Sequence, residues 1–155
     1  MNPKFMRAAI RLAREKMRRG EGGPFGAVVV RNGRIIGRGW NRVTSANDPT
    51  AHAEIMAIRE ACAKLKTFRL DDCALYASCE PCPMCLAAIY WARLEKVYYA
   101  GTRRDAARIQ FDDEWIGREL AKPAARRKIP MKQLLHAEAL TVFAEWKTKA
   151  DKVCY

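Results

Sequence analysis

An α/β fold, with a mixed sheet held between helices in three layers, is predicted by three features of this 155-residue sequence. Segments of helical period alternate with short strand-like runs, the dipeptide Asn32-Gly33 separates two apolar runs, and no internal repeat or low-complexity segment interrupts the pattern. Phe5, Ala9, Leu12, Ala13 and Met17 recur at helical spacing over about Pro3–Arg19, and Gly20, Gly22 and Gly23 end that helix. Phe25–Arg31 and Arg34–Trp40 flank Asn32-Gly33, whose tolerance of positive φ marks an antiparallel hairpin. The polar stretch Asn41–Thr50, with Asn47-Asp48-Pro49, reads as a surface loop. A helix follows from near Ala51, with Ile55, Ile58, Cys62 and Leu65 as its apolar stripe. Cys73–Ser78 reads as a strand, Pro83–Ala92 as a helix and Lys96–Gly101 as a strand. A helix near Asp112–Leu120, a basic linker from Pro123 to Pro130 and a last helix about Glu138–Ala150 complete the chain. Strand order, and the pairing of any fifth strand, stay open at this level.

The length suits one compact domain, 1–155, able to bury a core without disulfides. Apolar residues make up 50% and charged residues 30%, which excludes disordered and fibrous classes. No apolar run approaches the roughly 20 residues of a membrane span, and the basic N-terminus lacks a signal-peptide core, so a cytoplasmic chain is expected. In that setting six cysteines read as thiols or metal ligands. The net charge of +12 admits a nucleic-acid partner, but the runs Arg14–Arg19 and Lys122–Lys128 read equally as solvated surface.

The chemistry concentrates at two predicted helix starts. His52-Ala53-Glu54 opens one helix, and Pro81-Cys82-Pro83-Met84-Cys85 opens another, with Cys82 lying 30 residues beyond His52. Residues two apart inside a helix point to nearly opposite sides, so His52 and Glu54 share a site only in a first turn. Cys82 and Cys85, three apart, fall on one face, and Pro83 at the first helical position forfeits no hydrogen bond. The partial positive charge of a helix N-terminus favours both thiolates. Two thiolates and an imidazole leave a fourth tetrahedral position open, the mark of a catalytic zinc. A redox Cys-x-x-Cys pair would leave His52 and Glu54 unused, and structural zinc would need a fourth protein ligand. His136-Ala137-Glu138 repeats the pattern, but it follows the cysteines and precedes an ordinary apolar stripe of Leu140, Phe143 and Trp146. Cys62 and Cys73 read as core residues, while Cys79 could compete as a ligand.

At these residues the sequence resembles the cytidine-deaminase superfamily, whose signature is H-x-E followed by P-C-x-x-C. Gly22–Gly26, Asn47–Glu54, Ser78–Arg93 and Phe111-Asp112-Asp113 carry the resemblance over nearly the whole chain. The first three are shared in looser form with tRNA adenosine deaminases. Phe111-Asp112-Asp113 and a long C-terminal helix ending in Tyr155 are similar to the guanine-deaminase branch, from which Gln110 and Ala87 depart by replacing an expected glycine. The resemblance implies a three-layer α/β/α cytidine-deaminase-like fold and a zinc cofactor held by His52, Cys82 and Cys85. It implies Glu54 as general acid/base, Asp113 as a second proton shuttle, Asn41 reading the purine's polar edge, Phe25 and Trp91 lining the pocket, and Tyr155 closing it. The reaction it implies is hydrolysis of guanine to xanthine and ammonia. The assembly it implies is a homodimer whose C-terminal segments, about 123–155, exchange between subunits, with the Pro123–Pro130 linker as hinge. Read by themselves, Asn41 also suits a turn, Phe25 and Trp91 a core, Asp113 a helix N-cap and the linker a solvated connector. A guanosine or other amino-heterocycle deaminase, a tRNA adenosine deaminase and a non-catalytic zinc module are the competing functions; Glu54 beside an open zinc position argues against the last.

Overall fold

The computed structural model describes residues 1–154. Its elements run α1 (Pro3–Arg18), β1 (Gly26–Arg31), β2 (Arg34–Trp40), α2 (Val43–Ala46), α3 (Ala53–Leu65), β3 (Cys73–Cys79), α4 (Pro83–Trp91), β4 (Lys96–Gly101), α5 (Arg103–Arg108), α6 (Asp113–Ala121), a 3₁₀ turn (Ala124–Arg126) and α7 (His136–Thr148). The chain divides into two compact units, Met1–Gly117 and Arg118–Tyr155.

In the first unit the four strands stand in the order β2-β1-β3-β4. β1 pairs antiparallel with β2 and β3, and β3 pairs parallel with β4, so the sheet is mixed as expected. Asn32 and Gly33 take φ of 48° and 70°, the pair of left-handed residues that a two-residue hairpin requires. Alternation along β1 and β3 then sorts the core into two layers. Val28, Val30 and Tyr76 meet Phe5 of α1 on one face, while Val29, Leu75 and Ala77 meet Ala53, Ala57 and Ala61 of α3 and Ile89 of α4 on the other.

The buried side of α3 differs from the expected stripe. Ala53, Glu54, Ala57 and Ala61 face inward, while Ile58, Cys62 and Leu65 pack partly buried at the flank and Ile55 is half-buried. The cause lies in β2. A methyl group on Gly37 would stand 2.3 Å from the Ala57 carbonyl oxygen, and one on Gly39 would stand 2.0 Å from that of Ala53. Two glycines let the helix backbone rest on the strand, and at that distance only alanine fits beneath the helix.

Two short helices add to the expected elements, one within the stretch expected as a loop and one between β4 and the helix expected near Asp112. α2 occupies part of Asn41–Thr50 and ends at Asn47, in the left-handed conformation with φ 49°. α5 is started by a capping box: Thr102 accepts from the Asp105 N–H at 3.2 Å, and Asp105 accepts from the Thr102 N–H at 2.9 Å. It is capped at Ile109, and the next residue, Gln110, turns left-handed with φ 70°. The Gln110 N–H bonds to the Ala107 carbonyl and the Phe111 N–H to that of Ala106, which is a Schellman turn with a glutamine at the glycine position. This explains why glycine is expected there. Gln110→Gly should therefore raise stability by about 0.5–1 kcal/mol, or about 1–4 °C in Tm, after allowing for glycine's freer unfolded chain. A thermal melt that stays put or falls would contradict this account.

In the second unit the linker folds one 3₁₀ turn, and α7 begins at His136, two residues before the expected start. Its stripe of Leu140, Phe143 and Trp146 is exposed, contrary to the expected packing. No helix of the described residues is long and apolar enough to cross a membrane.

Candidate active site and metal centre

His52 and Cys82 are the N-cap residues of α3 and α4, and neither side chain caps its own helix. Both are turned instead toward a shared point, where Cys85 joins them from the first turn of α4. The three ligand atoms lie within 4.8 Å of one another, and Cys82 Sγ stands 3.5 Å from His52 Nδ1. Bond lengths of about 2.3 Å to sulfur and about 2.0–2.1 Å to nitrogen give a tetrahedral edge of about 3.6 Å, so the donor set fits zinc. Among the described residues this is the one such group of three. His136 is exposed at the start of α7 and lies outside it.

The local electrostatics suit a cation and an acid/base. A hydrogen bond from Cys85, with the His52 ring beside it, holds the Cys82 thiol down at about 4, against the opposing cost of burial. The same Cys82 contact raises His52 and, together with burial, raises Cys85. Glu54, on the first turn of α3, is only 7% exposed, and burial pushes its carboxyl up to about 7. A group poised there accepts and returns a proton near neutral pH.

His52, Glu54 and Cys82 open onto a cavity of about 320 Å³, whose walls also include Phe25, Asn41, Phe111 and Asp113. Asn41 is 6% exposed, and its Oδ1 accepts from the backbone N–H groups of Gly23 at 3.2 Å and Val43 at 3.3 Å. The amide is thereby fixed, and its two N–H donors make no hydrogen bond among the described residues. Gly22 makes this possible, because a Cβ there would meet the Asn41 carbonyl oxygen at 1.9 Å. Phe25 meets Phe111 edge-on, with ring centroids 4.7 Å apart. Asp113 is the first residue of α6, and burial raises its carboxyl, with Cys82 adding to the effect.

The structure thus brings together His52, Cys82, Cys85, Glu54, Asp113, Asn41 and Phe25. Trp91 is not with them: it ends α4, about 12 Å along the axis from Pro83, and is 61% exposed. Phe111 is the second aromatic wall, and nothing beyond its family motif marked it. Tyr155 lies outside the described residues. Cys79 lines the cavity but belongs to no ligand group; its Sγ donates to the Thr102 carbonyl at 3.4 Å, and burial pushes it up to about 11. Glu80, unmarked in the sequence, also lines the cavity and binds Arg103.

A sheet flanked by helices, with a His/Cys/Cys cluster at two helix starts and a buried glutamate beside it, defines a zinc-dependent deaminase. The chain belongs to the family described as the cytidine and deoxycytidylate deaminase zinc-binding region, whose model matches residues 1–101. Among its relatives, guanine deaminase of Bacillus subtilis (strain 168) is 54% identical over 151 residues, spanning 97% of each chain. The crystal structure of a guanine deaminase from Bacillus subtilis superposes with a TM-score of 0.96 at 53% identity, over 100% of this chain and 99% of that one. A tRNA-specific adenosine deaminase of Aquifex aeolicus (strain VF5) is 45% identical over 96 residues, or 62% of this chain and 63% of its own.

Proposed function

We propose that the protein hydrolyses guanine to xanthine and ammonia, with zinc as cofactor. The observation that carries this reading is the extent of similarity: the guanine deaminase match runs end to end, whereas the tRNA deaminase match covers 62% of the chain. The cavity of about 320 Å³ is at the small end for ligand sites, about 300–1,000 Å³, and suits a bare base.

His52, Cys82 and Cys85 would hold the zinc, which supplies Lewis-acid activation of water near neutral pH. The Asn41 amide, its oxygen already occupied, donates to the purine's acceptor edge. Phe25 and Phe111, packed edge-on against each other, form an apolar wall that braces the ring and excludes water from around it. As water adds at C2, Glu54 takes its proton and returns it to the ring nitrogen beside that carbon. As the C–N bond breaks and the C2 carbonyl forms, the proton of the new C2 hydroxyl must pass to the amino group so that it leaves as ammonia. We assign that transfer to Asp113, which lines the same cavity. Assayed on guanine, guanosine, cytosine, cytidine, adenosine and a tRNA anticodon stem-loop, the zinc-loaded protein should form xanthine with a kcat/KM about 10²-fold or more above any other conversion. Inosine in the tRNA without xanthine would instead identify an RNA-editing enzyme and assign the +12 charge to RNA.

We propose further that the whole chain acts as one functional domain within a homodimer, exchanging segments from about residue 123 so that Tyr155 closes the partner's cavity. Leu134, Phe143 and Trp146 of the second unit and Leu86, Tyr90 and Trp91 of α4 are all exposed, which leaves apolar surface for such an assembly to cover. Sedimentation should give twice the 17.6 kDa chain mass. Mixing Glu54→Gln protein with protein truncated after Lys122 should restore activity, each supplying what the other lacks; a monomer, or no complementation, would rule out exchange.

A further inference from the structure

We infer that Arg103, clamped by Glu80, is a positioning residue that sets Asp113 against the loop carrying the metal ligands. The inference rests on the proposed role of Asp113. Glu80 follows β3 directly and precedes Cys82 by two residues, and its backbone N–H bonds to the Gly101 carbonyl at 2.8 Å, which fixes its place beside the sheet. Its carboxylate does two jobs at once. One oxygen accepts from Arg103 Nη2 at 2.7 Å, and the other accepts from the Arg103 backbone N–H at 3.1 Å, one of the unpaired donors at the start of α5. The metal loop and the first turn of α5 are therefore held by a single side chain, with the Thr102 capping box as a second fastening.

Arg103 reaches onward to α6. A Cβ on Gly117 would lie 3.4 Å from Arg103 Nη1, so the guanidinium lies against the helix one turn beyond Asp113, on the face that Asp113 shares. The cation stands between Glu80 and that face, and its charge draws the Asp113 carboxyl down while burial pushes it up. Arg103 itself does not line the cavity. An ion pair with both partners partly solvated adds little to fold stability. Its value here is geometric, since a misplacement of about 1 Å at a reacting group can cost about 10²-fold in rate.

The test uses zinc-loaded full-length protein, with Arg103→Met and Arg103→Lys made in the natural and the Asp113→Asn backgrounds. Arg103→Met should lower kcat for guanine about tenfold or more with KM within about threefold and zinc retained, and Arg103→Lys should recover part of the loss. In the Asp113→Asn background the same change should cost less than about threefold, because the group it positions is gone. Backbone amides of residues 109–117 should exchange about tenfold faster in Arg103→Met, while those of β1 and β3 keep their protection. Unchanged exchange at 109–117, no loss of kcat, or an equal loss in both backgrounds would overturn the inference. If the natural protein does not convert guanine, the proposed function fails; if Asp113→Asn is fully active, only the role of Asp113 fails. In either case amide exchange still decides whether Arg103 holds residues 109–117.

Discussion

Glu54→Gln should retain zinc and lose about 10²-fold to 10⁴-fold in kcat, the usual worth of a positioned acid/base. The substitution keeps the shape of the side chain and removes only its capacity to exchange a proton. Glu54 is among the few buried polar or charged residues of the chain, and its placement on the first turn of α3 costs the fold a desolvated carboxyl. A neutral amide carries a smaller penalty, so Tm should not fall, and any loss of turnover is then chemical. Asp113→Asn should cost less, because a half-solvated shuttle is more readily replaced by water than an enclosed one. Near-normal turnover in Glu54→Gln would contradict the assignment outright.

Cys82→Ser should reduce zinc from about one per chain to nearly none and take activity down by more than about 10⁴-fold, since unaided water ionises near 15.7 rather than about 7. The Cys82 thiol is drawn down by its contact with Cys85 and by the His52 ring beside it. A hydroxyl in its place offers neither the charge nor the softness that zinc selects. Because folding brings the three ligands together from two helix starts, loss of the metal should also lower Tm, and added zinc should not restore it. His136→Ala should keep zinc and activity, as its exposed place at the start of α7 requires. Metal analysis by mass spectrometry on the two variants, side by side, decides between the two His-Ala-Glu sequences.

The features that sequence reading captured are those written in adjacent residues. Asn32-Gly33 marked the hairpin, and two helix starts 30 residues apart marked the metal centre, because each signal is local and chemically specific. The inward face of α3 was misjudged because it is decided elsewhere, by Gly37 and Gly39 on β2, which turn small residues into the core and displace Ile55 and Ile58 to the flank. α5 was legible in Thr102 and Asp105 at capping-box spacing, yet with six residues it shows little periodicity. Glu80 and Arg103, 23 residues apart, carry no mark of their pairing in the chain. Trp91 was placed in the pocket by resemblance alone, whereas α4 starts at the His52, Cys82 and Cys85 cluster and carries its last residue away from it.

The contact between β2 and α3 ties catalytic geometry to the sheet's edge. β2 is an outer strand with no chemistry of its own, and sequence drift is ordinarily tolerated at such positions. Here the first turn of α3, with His52 at its cap and Glu54 just inside it, rests its Ala53 carbonyl where the side chain of residue 39 would be. Even one methyl group at position 39 must lift that turn by more than an ångström, and the acid/base and a metal ligand would travel with it. Thermostability and turnover are therefore not separately adjustable at this position, so an edge strand that would ordinarily vary is held by folding and by rate at once.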